Sequence, residues 1–157
     1  MKKEQKQEFT ARIVSANRSE LIVILYDMMF AYMEDAKEHY ELDAWEDVKV
    51  DLDHVESIIR RLEQDLNHKY EISNELFALY HFCLRELAKC RIKKNLEGME
   101  NAKKVLDNLY VGMVGMAKED HSSPMMKNSQ KVVAGMTYGK NSMNEVYIDD
   151  DKRGFFA

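Results

Sequence analysis

The sequence predicts an all-α protein, an antiparallel up-down four-helix bundle, from three observations. One proline and six glycines in 157 residues leave room for long helices. Apolar residues recur at three- and four-residue spacings through four segments between residues 17 and 119. The connections between these segments are short, so consecutive helices run antiparallel. The predicted organisation is an N-terminal arm (residues 1–16), the bundle (17–119) and a flexible, mostly disordered C-terminal tail (120–157).

The first bundle helix, predicted over residues 17–41, has more apolar surface than one core face requires. On a helical wheel a broad core-facing stripe is formed by Leu21, Ile22, Ile24, Leu25, Met28, Met29, Tyr32, Met33 and Ala36. Val23, Tyr26 and Phe30 fall on the far side, where a surface helix is normally polar. A helix that is apolar nearly all round is buried on every side or covered by something else.

The second predicted helix, residues 43–68, has a single narrow apolar seam of the coiled-coil type. The seam consists of Trp45, Val48, Leu52, Val55, Ile59, Leu62 and Leu66. Capping boxes are predicted at the start of the first helix, with Asn17 and Glu20, and of the second, with Asp43 and Glu46. A helix with one narrow seam needs only one partner face.

The third and fourth helices are predicted over residues 73–94 and 96–118. The third again has a widened stripe, formed by Leu76, Phe77, Leu79, Tyr80, Phe82, Cys83, Leu84, Leu87 and Ala88. The fourth has one face, formed by Met99, Ala102, Val105, Leu106, Leu109, Tyr110, Met113 and Met116. Surplus apolar surface on the first and third helices predicts a groove for a ligand. The alternative is that the first helix is simply the most central one.

The tail beyond residue 120 has more apolar residues than a purely solvated segment requires. They are Val132, Val133, Met136, Tyr138, Met143, Val146, Tyr147, Phe155 and Phe156. One hypothesis is that part of this tail occupies the groove of the bundle when no partner is bound.

Composition argues against several classes of function. A net charge of -5 gives no electrostatic footprint for nucleic acid. From the pattern of apolar residues we expect neither a signal peptide nor a stretch suited to membrane insertion. Cys83 and Cys90 lie on one face of one predicted helix, where they cannot easily bridge each other. They resemble core thiols in a reducing compartment, so we expect a cytoplasmic protein.

The sequence offers little for metal binding or catalysis. Asp51 with His54 and Asp65 with His68 have the spacing of metal-binding pairs, but both pairs lie on one helix and face solvent. A bundle with a two-metal centre needs such pairs on different helices. No phosphate-binding loop or nucleophile motif is present. We therefore expect no metal, no cofactor and no enzymatic activity.

Two segments resemble the FliS family of flagellar secretion chaperones. IVSANRSELIVILYDMM resembles V-x-T-A-x-P-x-E-L-x-x-M-L-Y-D/N-G, and LYHFCLRELAKCRIKKN is similar to M-Y-x-Y-x-x-R-R-L-x-x-A-x-I-K-x-D. The residues that match are Ala16, Glu20, Leu21, Leu25, Tyr26, Tyr80, Arg85, Leu87, Ile92, Lys93 and, in place of aspartate, Asn95. Arg18 replaces the proline of the first pattern. The resemblance covers about residues 10–119.

The resemblance implies a cytosolic chaperone that binds the disordered C-terminal segment of flagellin. It would prevent premature polymerisation and assist delivery to the flagellar export apparatus. Wrapping by a disordered client is coupled folding and binding, which loses part of the contact energy to ordering. The alternative is a structural, self-associating bundle with no flagellin client. As the free state we expect a monomer or weak homodimer.

The expected contact residues lie on the surplus apolar faces. They are Ile22, Val23, Tyr26 and Phe30 on the first helix and Phe77, Phe82 and Leu84 on the third. Ile13, Ser15 and Ala16, just before the bundle, are expected to form a mobile strap over the groove.

Overall fold

The computed structural model describes residues 1–126, in which the chain forms five α-helices and no strand. The predicted all-α fold is confirmed. The helices are α1 (Lys3–Ser15), α2 (Arg18–Glu41), α3 (Trp45–Gln64), α4 (Glu71–Lys93) and α5 (Glu97–Glu119). Residues 127–157, which hold most of the predicted flexible tail and its apolar residues from Val132 onward, lie outside the described residues.

Helices α2 to α5 form the predicted bundle. Each packs against the next along the chain, and α5 returns to pack against α2. The four helices therefore form a ring in which α2 lies diagonally opposite α4, and α3 lies diagonally opposite α5. None of the helices within residues 1–126 is long and apolar enough to cross a membrane.

The start of α2 follows the predicted capping box. The Asn17 side chain accepts a hydrogen bond from the Glu20 amide at 2.9 Å, and the Glu20 carboxylate accepts one from the Asn17 amide at 2.9 Å. The capping box predicted at Asp43 is wrong. Asp43 has a φ of 55° and turns the chain between α2 and α3, so Ala44 precedes the first residue of α3 without a side-chain cap. Aspartate is one of the few residues that tolerate this left-handed conformation.

The predicted seam of α3 is confirmed as the wall of the core. Val48, Leu52, Val55 and Ile59 are completely buried. They pack with buried residues of the other three bundle helices, including Met29, Met33, Tyr80, Leu87, Met99 and Leu106. Both cysteines are buried free thiols, and burial raises the pKa of Cys83 to about 12. They therefore act as small core side chains.

Helices α4 and α5 approach closely at Gly98. A Cβ at this position would lie 2.0 Å from the carbonyl oxygen of Glu86. The Met99 amide donates to the Cys90 sulfur at 3.1 Å in the same contact. The buried Glu86 carboxylate accepts from Lys89 and from Asn101, and the hydrogen bond from Lys89 is the main cause of its lowered pKa.

One polar residue of α3 is placed differently from its prediction. Asp51, expected on a solvated face with His54, is 4% exposed. Its carboxylate lies 2.6 Å from Nδ1 of His39, in the last turn of α2. The last turns of α2 lie against Asp51 through His39, while His54 stays exposed.

The N-terminal arm forms a helix, which the sequence did not predict. Helix α1 is mostly polar and packs against α2, with Val14 buried. Met1 packs against the bundle core. The Arg12 guanidinium forms an ion pair with Asp27, in the first half of α2. Because Arg12 contacts residue 27 and Ala16 leads directly into α2, the two helices run antiparallel.

Candidate functional site

One end of the bundle contains an apolar hollow of about 310 Å³. At this end the first turns of α2 and α4 meet the last turns of α3 and α5. The apolar walls are formed by Leu21, Ile22, Leu25, Leu62, Leu66, Leu76, Tyr80, Met113, Met116 and Met125. We refer to this space as the end hollow.

The end hollow forms because the apolar faces of the helices extend beyond the closely packed core. Met113 is nearly buried at its base, whereas Met116, one turn further along α5, is 50% exposed. Helix α3 ends at Gln64, so Leu66 reaches the hollow from the connection to α4. Apolar side chains that stay half-exposed at a concave site are typical of a binding surface.

Charged groups form the rim of the end hollow. The Nε of Arg61 lies 3.0 Å from a carboxylate oxygen of Asp65. Arg18 also lines the hollow, and its guanidinium is 3.5 Å from the Asp65 carbonyl oxygen. The rim is therefore polar while the walls are apolar.

A group of aromatic rings covers the neighbouring face between α2 and α5. The Phe30 ring lies 6.2 Å from Tyr26 and 5.4 Å from Tyr110, measured between centroids, in edge-to-face geometry. The ammonium group of Lys103 lies 5.1 Å from the Phe30 centroid. Phe30 and Tyr110 are half-buried, so part of this aromatic surface is open to solvent.

Tyr26 lies in the core, and its expected position on the far side of the first helix is wrong. It is 0% exposed, and its hydroxyl lies 2.8 Å from the hydroxyl of Tyr80. Burial raises the pKa of both phenols. The helical wheel placed this side of α2 away from the bundle core, but α4 and α5 both reach it, Tyr80 from one and Tyr110 from the other.

Helix α1 is held to the aromatic face by one carboxylate. Asp27 accepts from the Arg12 guanidinium at 2.6 Å through one oxygen and from the Tyr110 hydroxyl at 2.7 Å through the other. The hydrogen bond to Asp27 raises the pKa of Tyr110. Asp27 therefore links α1, α2 and α5.

The predicted strap residues are part of α1 or follow it directly. Ser15, Ala16 and Val23 line a second cleft, of about 330 Å³, between α1, α2 and α5. Ala16 is only 3% exposed, Ile13 is half-buried on α1 and Ser15 is exposed. The structure thus brings Val23 together with two of the three strap residues.

The expected contact residues on α4 lie apart from those on α2. Phe77 is 37% exposed, with its ring centroid 5.5 Å from His68 and 4.4 Å from His81. Phe82 and Leu84 are half-buried against the core. Of the expected contact residues, only Ile22 lines the end hollow.

Sequence reasoning missed most of the end hollow. Leu62 and Leu66 belong to the predicted seam of the second bundle helix, and Met113 and Met116 belong to the one apolar face of the fourth, where their flexible side chains also suit a client surface. The available signal was their position in the last turns of α3 and α5 and, for Leu66, just after the end of α3. Among residues 1–126, no group of three His, Cys, Asp or Glu residues could hold a metal ion.

Comparison with models of protein families gives a match. The family model described as "Flagellar protein FliS" matches residues 1–119, which include all five helices. A comparison with curated protein sequences found no significant match.

Proposed function

Because the chain belongs to the FliS family of flagellar proteins, we propose that it binds the C-terminal segment of flagellin in the bacterial cytosol. Family membership gives the chain a chaperone role in flagellum biogenesis. The proposed binding would prevent premature flagellin polymerisation and assist delivery to the flagellar export apparatus. The observation that carries this proposal is the end hollow, an apolar concave surface of about 310 Å³ at one end of the bundle.

The chemistry of the end hollow suits a disordered protein segment. Its volume is near the lower limit of small-molecule pockets, which are about 300–1,000 Å³. Apolar side chains of an extended client fit such a space, and the unbranched side chains of Met113 and Met116 can repack around different ones. The charged rim leaves the client backbone in contact with solvent and polar groups.

The proposed contact surface extends from the end hollow along α2. Ile22 belongs to the hollow, and Val23 and Phe30 continue the surface towards α1 and α5. Phe77, Phe82 and Leu84 on α4, and Ile13, Ser15 and Ala16 beside α1, remain proposed contacts for other parts of a wrapping client. Tyr26 supports this surface from the core by packing under Phe30.

The experiment compares two glutamate substitutions on α5. Met116 lines the end hollow and is 50% exposed, whereas Val111 is 73% exposed and does not line the hollow. Titration calorimetry with a flagellin C-terminal peptide should show one-to-one binding to the unchanged protein. M116E should weaken the affinity at least about tenfold, as expected for an interface anchor, and V111E should leave it unchanged.

Three other outcomes would contradict parts of the proposal. Absence of binding to the unchanged protein would overturn the flagellin client. Equal affinities of M116E and the unchanged protein would remove the end hollow from the contact surface. A stable homo-oligomer in size-exclusion chromatography that ignores the peptide would favour the self-associating bundle.

A further inference from the structure

The segment that follows α5 turns back onto the end hollow. We propose that the end hollow is a docking site for an extended chain segment and that the protein's own residues 120–126, the resident segment, dock at its edge, where Met125 forms part of its wall. A client must displace this segment. The identity of that client rests on the proposed function, but the docking of residues 120–126 does not.

The first anchor of this segment is the amide side chain of Asn17. Its nitrogen donates to the carbonyl oxygen of Asp120 at 3.0 Å and to that of Ser122 at 3.3 Å. Asn17 is only 3% exposed, and its side-chain oxygen caps α2 at the same time. Hydrogen bonds donated by a buried side chain fix the path of the backbone at the point where it leaves α5.

The second anchor is the Asp120 carboxylate. One oxygen accepts from the Ser19 hydroxyl at 2.6 Å, and the other accepts from the Ser122 amide at 3.0 Å. The hydrogen bonds from Ser122 and Ser19 lower the pKa of Asp120 to about 2. Asp120 is therefore ionised at neutral pH and joins the segment to the first turn of α2.

The third anchor brings an apolar side chain to the end hollow. The Met125 amide donates to the carbonyl oxygen of Ala16 at 3.0 Å, and the Met125 side chain lines the hollow. A backbone hydrogen bond together with an unbranched apolar side chain is what an extended client segment can also supply. The resident segment thus shows which ligand chemistry fits: a main-chain N–H facing Ala16 and a methionine or leucine facing the hollow.

The resident segment is held loosely enough to be exchanged. The Met125 side chain is 53% exposed although it lines the hollow. A client with several apolar side chains would bury more area. Because the resident segment is part of the same chain, only molecules in which it has left the hollow can bind the client. The apparent client affinity is therefore the intrinsic affinity multiplied by the fraction of molecules in which the hollow is open.

The test uses the full chain with matched serine substitutions. M125S removes the side chain from the hollow, and M126S changes its neighbour, which does not line the hollow. S19A removes one anchor of Asp120 without altering the hollow walls. We expect M125S to tighten binding of a flagellin C-terminal peptide about three- to tenfold, S19A to act in the same direction, and M126S to have no effect.

Hydrogen exchange tests the docking without any client. In the unchanged free protein the Met125 amide should be protected from exchange. M125S and S19A should reduce the protection of the backbone amide at position 125 several-fold relative to M126S.

The outcomes separate the two proposals. Exchange of the Met125 amide at the rate of an unstructured chain would overturn the docking of residues 120–126. Protection without any gain in affinity in M125S and S19A would show that the segment does not compete with the client. If no variant binds the peptide, the proposed function fails, and the exchange measurement alone decides whether the segment docks.

Discussion

The hydroxyl oxygens of Tyr26 and Tyr80 lie 2.8 Å apart in the core, where both side chains are almost completely buried. The two residues belong to α2 and α4, which stand diagonally in the ring of bundle helices. Each phenol satisfies the polar group of the other in surroundings that offer little water. The pair links the two helices that carry the widest apolar faces in the sequence.

Removing one hydroxyl of this pair should destabilise the protein more than removing both. Y26F leaves the Tyr80 hydroxyl buried without its partner, which costs about 1–3 kcal/mol, and Y80F has the converse effect. The double variant removes both polar groups and should be close to the unchanged protein in stability. Urea unfolding of the four proteins measures the coupling, and additive losses would contradict it.

Alanine substitutions at two glycines of α5 should have opposite effects. G98A places a Cβ 2.0 Å from the Glu86 carbonyl oxygen. The required shift of α4 against α5 should lower the free energy of unfolding by about 1–3 kcal/mol.

The matched control for this prediction is G112A. Nothing lies within 4 Å of a Cβ built at Gly112. Alanine has the higher helix propensity, so this variant should be up to about 1 kcal/mol more stable than the unchanged protein. Thermal unfolding distinguishes the two, and equal stability of the two variants would contradict the close approach at Gly98.

The pair formed by His39 and Asp51 should make stability depend on pH. The hydrogen bond to Asp51 raises the pKa of His39 above its ordinary value of about 6.5. The stabilisation by protonated His39 is therefore complete below that value and is lost as the pH rises through the raised pKa. Asp47 and Asp35 act in the same direction.

The measurement is the free energy of unfolding of the unchanged protein and of H39Q across this range. The difference between them should decrease with rising pH and, because His39 is partly exposed, the pH-dependent part should be on the order of 1 kcal/mol or less. H68Q is the control, since His68 lies 3.3 Å from the neutral side chain of Asn74. A pH-independent difference for H39Q would refute the role of its charge.

Helix α1 should loosen when one of the ionic links between the N-terminal arm and α2 is removed; another joins the amino group of Met1 to Asp35. D27N loses the ion pair with Arg12 and weakens the acceptor for the Tyr110 hydroxyl, which lies 2.7 Å from Asp27. Hydrogen exchange in α1 should become about three- to tenfold faster, since a partly exposed pair contributes on the order of 1 kcal/mol. E8Q, an exposed change on α1, should leave exchange as it is, and identical rates in D27N would mean that α1 is held by other contacts.

The bundle helices could be predicted because apolar spacing and capping are local properties of the sequence. The capping box at Asn17 and the buried seam of α3 required no knowledge of neighbouring helices. Helix α1 lacks a strong apolar stripe and depends on α2 for its packing, so periodicity did not reveal it. Asp43 was assigned a cap because its side chain is suitable, but the tight connection between α2 and α3 placed its backbone in a left-handed turn.

The candidate site was harder to predict because it depends on tertiary geometry. A helical wheel separates one side of α2 from the other, but it cannot show that α4 and α5 together surround Tyr26. The same limitation applies to Asp51, which the last turn of α2 contacts through His39. Met116 and Met125 meet at the end hollow only because the chain reverses after α5.

The side chain at position 17 has requirements beyond those of a helix cap. Serine, aspartate and asparagine all serve as N-cap acceptors, but of the three only asparagine also supplies an amide nitrogen that donates two hydrogen bonds. Here those donors bind the carbonyl oxygens of Asp120 and Ser122. Conversion of Asn17 to aspartate would preserve the acceptor for α2 and replace the donor with a second acceptor. Such a change would separate the capping of α2 from the attachment of residues 120–122 to the start of α2. In the unchanged protein the amide group of Asn17 supports both.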